Sequence, residues 1–138
     1  MLWSGTFGKH MDLLHRSMDV GVMRRSVIAN NIANADTPNF KRTEVSFESE
    51  LRRALRSENN RSLPLALTET RHIPAHQPAD YRTVRPRRVL DYLTTATNNG
   101  NNVDAEQEMV ALLQNQLQYQ TIAQAVAAEY GRVNIVLG

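Results

Sequence analysis

The chain has no cysteine, which excludes disulfides, thiol nucleophiles and thiolate metal sites. Lysine is nearly missing: Lys9 and Lys41 stand against fourteen arginines. The formal net charge is only +2, a balance that does not mark a nucleic-acid binder. Aromatics make up 6% and the hydrophobic total of 41% leans on Ala, Val and Leu, so a large globular core is not expected. No apolar run approaches the ~20 residues that a membrane-spanning helix requires. Met1 to Gly8 show no basic stretch followed by an apolar one, so no general secretory signal is expected there. With six glycines there is no phosphate-cradling loop, and no glycine-flanked serine elbow either.

Proline is scarce and confined. All five prolines fall between Pro38 and Pro86, which leaves two proline-free ends with helical patterning. At the first end Met11, Leu14, Met18, Val22, Ala29 and Ile32 recur mainly at three- and four-residue steps, the mark of an apolar stripe. Gly21 interrupts that stripe, weakening the helix or admitting a close neighbour. A helix is predicted from Lys9 to Ala35, stopping before Thr37-Pro38 because a residue preceding proline avoids the α region.

At the second end, Asn98-Asn99-Gly100-Asn101-Asn102 is a turn-forming cluster. Asp104 followed by Gln107 then reads as a capping-box variant. Leu112, Tyr119, Val126 and Val133 recur every seven residues, joined by Met109, Ile122 and Tyr130, giving a heptad-like seam. The helix, running to about Val136, would be roughly 50 Å long. That is too long to lie inside a small compact domain, so part of its stripe should meet other subunits. Between the ends, Phe47, Leu51, Ala54 and Leu55 suit one short amphipathic helix near Ser46. Beyond Ser57 the pairs Leu63-Pro64, Ile73-Pro74, Gln77-Pro78 and Arg85-Pro86 favour extended or loose backbone. The organisation expected is therefore mainly α. Residues 1–40 carry the N-terminal helix, 41–97 a short helix plus an extended Pro/Arg-rich middle, and 98–138 a long helix paired coiled-coil-like with the first.

Catalytic chemistry is thin. His72 and His76 have the four-residue spacing of helical metal ligands, but Pro74 breaks the helix between them; solvated loop histidines are the simpler reading. His10 and His15 read as helix-surface residues. No acid, base and nucleophile converge, so no enzyme, cofactor or metal is expected. Arg82, Arg85, Arg87 and Arg88, with Arg52, Arg53 and Arg56, could face phosphates. Glu44, Glu48, Glu50, Glu58, Glu69, Asp80 and Asp91 share the region, and mixed signs more often make a solvated or subunit-pairing surface.

Two asparagine-rich stretches carry the most information. The first runs from Ala29-Asn30-Asn31-Ile32-Ala33-Asn34 through Ala35-Asp36-Thr37-Pro38 to Asn39-Phe40-Lys41-Arg42. The second runs from Asn98 to Asp104, into Glu108-Met109-Val110 and Asn115-Gln116-Leu117-Gln118-Tyr119-Gln120. Asparagine is mildly costly in a helix, so amides at this density are wanted for specific contacts. This pair of motifs resembles the bacterial flagellar basal-body rod protein family, most closely its short proximal-rod members.

The resemblance implies a structural protein of the flagellar basal body, exported without a cleaved signal by the flagellar type III apparatus. It implies helical stacking with itself and other rod proteins, next to the FliE adaptor and the membrane ring, so that torque passes to the distal rod and hook. Assembly contacts are expected at Asn30, Asn31, Ile32, Asn34, Leu112, Gln116, Tyr119, Ile122, Val126 and Tyr130, with Gln120 adding an amide. Phe47 and Leu51 match the family's export-gate pattern of a Phe followed four residues later by an apolar residue. The competing readings are a cytosolic helical adaptor or chaperone and an arginine-dependent nucleic-acid binder.

Overall fold

A computed structural model of the chain describes residues 5–59, 71, 78–93 and 101–138. Helix dominates: α1 spans Thr6–Ala33, α2 Glu48–Asn59 and α3 Ala105–Leu137, while β1 (Thr43–Ser46) and β2 (Arg87–Leu90) form a two-stranded sheet. Two compact units are present, one of Met1–Val45 with Arg88–Gly138, the other Ser46–Arg87.

In the first unit the long terminal helices pair, as the two apolar patterns predict. α1 begins at Thr6 rather than Lys9 and ends at Ala33 rather than Ala35. α3 is capped by Asp104, whose carboxylate accepts from Glu106 N at 2.9 Å and Gln107 N at 3.3 Å. Glu106 and Glu108 in its first turn complement the positive end of the helix dipole. The helices run antiparallel, since Asn31 meets Glu108 while Gly21 lies beside Asn115 and Tyr119.

The buried face of α1 differs from the predicted stripe. Met11 is buried as expected, but Val22 is 55% exposed and Ala29 is exposed. Val20, Gly21, Val27, Ile28 and Asn31 face inward instead. The reason is Gly21. A Cβ there would stand 3.3 Å from Tyr119 Cδ2, so α3 crosses α1 where α1 has no side chain. Hydrophobic periodicity does not register a contact centred on glycine. The Arg25 guanidinium lies over the Tyr119 ring, 5.5 Å from its centre, in a cation–π contact.

The second unit contains α2, which starts where Leu51 N donates to the Phe47 carbonyl at 2.9 Å. Glu48 and Glu50 in its first turn and Arg56 in its last suit the dipole. Among its described residues, Phe47, Ala54 and Tyr81 are buried. Ser57 Oγ accepts from Ala79 N at 2.9 Å, which ties the end of α2 to the segment leading to a 3-10 turn at Tyr81–Thr83.

That turn and β2 are regular structure in a stretch expected to have little. Tyr81 and Val89 supply what the proline pattern obscured: a buried anchor and a residue suited to a strand. Pro64, Pro74, His72, His76 and Asn98-Asn99-Gly100 lie outside the described residues. His10 and His15 lie exposed on α1.

Candidate functional site: a junction held by three asparagines

After α1 the chain makes tight turns, with Thr37 N donating to Asn34 O at 3.0 Å and Phe40 N to Thr37 O at 3.2 Å. Asn39 sits at φ 62°, a left-handed conformation that asparagine tolerates better than most residues. The segment from Ala35 to Thr43 is then gripped by three carboxamides, each using its oxygen and its nitrogen on backbone groups.

Asn31 Oδ1 accepts from Thr43 N at 3.1 Å while its Nδ2 donates to Thr43 O at 2.9 Å. Asn101 Oδ1 accepts from Phe40 N at 3.0 Å, and its Nδ2 donates to Ala35 O at 2.7 Å. Asn102 Oδ1 accepts from Arg42 N at 2.6 Å, and its Nδ2 donates to Asp91 O at 2.7 Å. A carboxamide is a peptide group on a short stem, with one acceptor and two donors. Each asparagine therefore substitutes for a neighbouring strand or turn. Asn31 and Asn101 are fully buried and Asn102 nearly so, where unpaired polar groups would be costly.

Beneath this lattice lies a buried charge. Glu108 has no solvent exposure. Its Oε2 accepts from Asn31 Nδ2 at 3.1 Å, and its Oε1 pairs with Arg42 Nε. Arg42 also reaches Glu44 through Nη1. Burial pulls the Arg42 pKa down, but hydrogen bonds and charge from Glu108 and Glu44 outweigh it and raise the pKa above the ordinary arginine value. The guanidinium thus stays charged at any pH the protein meets. A buried carboxylate is tolerated only when paired and hydrogen-bonded; Arg42, Asn31 and the N-terminus of α3 together meet that condition.

Beside the junction a cleft of about 340 Å³ opens between α1, β1 and α3, lined in part by Arg24, Ile28, Glu44, Gln114, Asn115 and Gln118. Asn115 is 4% exposed, and its Oδ1 has no hydrogen-bond partner among the described residues.

The junction thus joins the two asparagine-rich stretches. Asn31 and Arg42 come from the first, and Asn101, Asn102 and Glu108 from the second. Comparison with known proteins decides the assignment. A family model described as flagella basal body rod protein matches residues 24–41, the end of α1 and the gripped loop. The chain is 45% identical to the flagellar basal body rod protein FlgB of Borreliella burgdorferi, covering 95% of this chain and 97% of that protein. It is 34% identical to FlgB of Bacillus subtilis over 99% and 95% of the two chains. Against FlgB of Escherichia coli it is 30% identical, over 87% of each. The chain belongs to the flagellar basal body rod proteins. It is a structural component of the flagellar basal body, and not an enzyme.

Within the rod protein, the residues first assigned to assembly fall into two sets. Asn31 is committed inside the chain. Asn34 Nδ2 donates to Asn30 O at 2.8 Å within its own helix end, and Ile32, Leu112, Tyr119, Ile122 and Val126 are half-buried. Asn30, Gln116, Gln120 and Tyr130 are exposed. Sequence reasoning missed Arg42, Asn101, Asn102 and Glu108 as working residues. Their place inside the two shared motifs was the available signal, but nothing in the linear order shows that the motifs bind each other. Phe47 is buried, with 3% exposure, and Leu51 is half-buried.

Proposed function

We propose that this subunit builds the proximal part of the flagellar rod by packing its terminal helices against those of neighbouring subunits in a helical stack. One observation carries the reading. α3 has 33 residues, and its two buried ones are polar, Glu108 and Asn115. Its apolar residues stay at least partly open. Met109, Val110, Leu113 and Leu117 form an outward stripe, each 55–59% exposed, and Ile135, Val136 and Leu137 are 69–83% exposed. Monomeric proteins rarely present so continuous an apolar surface unless something covers it. Head-to-tail contacts that do not close generate a filament, and such a filament passes torque along its axis.

In this arrangement the exposed Asn30, Gln116, Gln120 and Tyr130 supply geometrically specific contacts, while Ile32, Leu112, Tyr119, Ile122 and Val126 shape the helix pair behind them. The neighbours include the other rod proteins, the FliE adaptor and the membrane ring. Delivery is through the flagellar type III export apparatus, with Phe47 and Leu51 as the export-gate motif. Because Phe47 is buried in the folded chain, the gate must meet it before folding.

Deleting the gene and imaging basal bodies by electron microscopy tests this. The expected result is immotile cells with membrane rings and no rod, rescued by the intact gene but not by Leu113→Glu with Leu117→Glu. Normal flagella in the deletion strain would overturn the reading in favour of a helical adaptor.

A further inference from the structure

We propose that the open edge of β2 is a docking site for an extended, acidic polypeptide segment of a partner protein. The bond from Asp91 N to Arg42 O, 2.8 Å, joins the residue after β2 to the residue before β1, so the strands are antiparallel. In such a ladder, alternate residues turn their N–H and C=O groups toward the partner strand and away from it. On β1 the outward residues are Thr43 and Val45, and α1 covers both. Asn31 takes both backbone groups of Thr43, and Arg24 Nη2 donates to Val45 O at 3.4 Å.

On β2 the outward residues are Arg88 and Leu90. No hydrogen bond among the described residues falls on that side of their backbone. Among the described residues, one edge of the ribbon is closed by the fold and the other is left open. An open edge is a template for strand addition, and a two-stranded ribbon gains most from a third strand.

The side chains set the occupant. β2 is exposed along its whole length. Val89 is 49% and Leu90 45% exposed, and Tyr92 (69%) and Leu93 (96%) follow. Arg87 and Arg88 have no ion pair among the described residues. A second copy of β2 paired about Arg88 would set arginine against arginine, where like charges are destabilising, and paired about Val89 would leave Arg88 opposite Leu90 without a carboxylate. A strand carrying Asp or Glu opposite the arginines and an apolar residue opposite Val89 or Leu90 complements both features. A lipid surface could satisfy the charges but not the row of backbone groups. The inference stands on the ribbon alone and does not depend on the rod reading.

Fluorescence anisotropy on the whole chain tests it, with labelled synthetic peptides of the repeat Glu-Glu-Val-Val, which sets Glu across from Arg87 and Arg88 and Val across from Val89 and Leu90. The controls replace Glu by Lys, or N-methylate alternate backbone amides, and phosphatidylglycerol vesicles form a separate arm. The acidic peptide should bind, and Arg87→Glu with Arg88→Glu should weaken it at least about tenfold. Leu90→Pro, which removes an outward N–H at an edge position, should abolish binding, with retained helicity checked by circular dichroism. If that variant unfolds, the charge variant and the N-methylated peptide still decide. Equal binding of acidic and basic peptides, undiminished binding of the N-methylated peptide, or capture by vesicles alone would each overturn the proposal.

Discussion

Asn31 and Thr43 face each other as neighbouring strands do, with the side-chain amide of one matched to the backbone amide of the other at 3.1 and 2.9 Å. The same Asn31 nitrogen reaches Glu108 at 3.1 Å. One carboxamide therefore links the end of α1, the start of β1 and the first turn of α3. Glutamine would carry the amide one methylene too far, and aspartate would lack the donor.

Asn31→Ala should destabilise the chain by about 1–3 kcal/mol, since it strands the half-buried Thr43 N–H and C=O and removes a donor from buried Glu108. Asn31→Asp should cost at least as much despite its matching shape, because it sets a carboxylate against buried Glu108. Urea unfolding followed by circular dichroism reads both. An Asn31→Asp midpoint equal to that of the unsubstituted chain would refute the bidentate role.

Arg42 and Glu108 should behave as a coupled pair. Removing Arg42 leaves a fully buried carboxylate without its cation, and the loss should be about 2–4 kcal/mol, at the lower end because Arg42 is 28% exposed. Arg42→Met with Glu108→Gln should cost less than the sum of the single changes by about 1 kcal/mol or more. Additive single and double variants would show that the pair contributes through separate contacts.

Gly21→Ala weighs two effects of similar size. Alanine favours helix by about 1 kcal/mol over glycine, but its Cβ would sit 3.3 Å from Tyr119 Cδ2. Net change should therefore be small. Gly21→Val adds branches at the same contact and should lower stability by about 1–3 kcal/mol, with partial recovery when Tyr119→Ala is added. A Gly21→Val melting temperature at or above that of the parent chain would mean that α3 does not approach so closely.

Asn115 offers the opposite sign. Its buried Oδ1 has no partner among the described residues, so Asn115→Leu should stabilise the isolated subunit by about 1 kcal/mol, the cleft beside it giving room for the two methyl groups that replace the amide. Complementation should then suffer, because the leucine cannot hydrogen-bond a neighbour entering the cleft. A less stable isolated Asn115→Leu subunit would contradict this account.

The sequence by itself determined the two long helices, the short middle helix and their mainly α organisation. Proline placement, Asp104 and three- or four-residue apolar spacing act locally, within one or two turns, and local signals survive in linear order. It also marked the asparagine-rich stretches as the place where the chain does something specific, through density of a residue that is costly in helices. Tertiary structure decided what those asparagines do. Asn31, Asn101 and Asn102 grip backbone within the subunit, Glu108 is buried beneath them, and Gly21 sets where α3 crosses α1. Most of these depend on which groups meet across sixty or more residues of chain, and periodicity carries no record of such pairings. The open edge of β2 is likewise a tertiary property. It exists because α1 shields one side of a ribbon and, among the described residues, nothing pairs with the other.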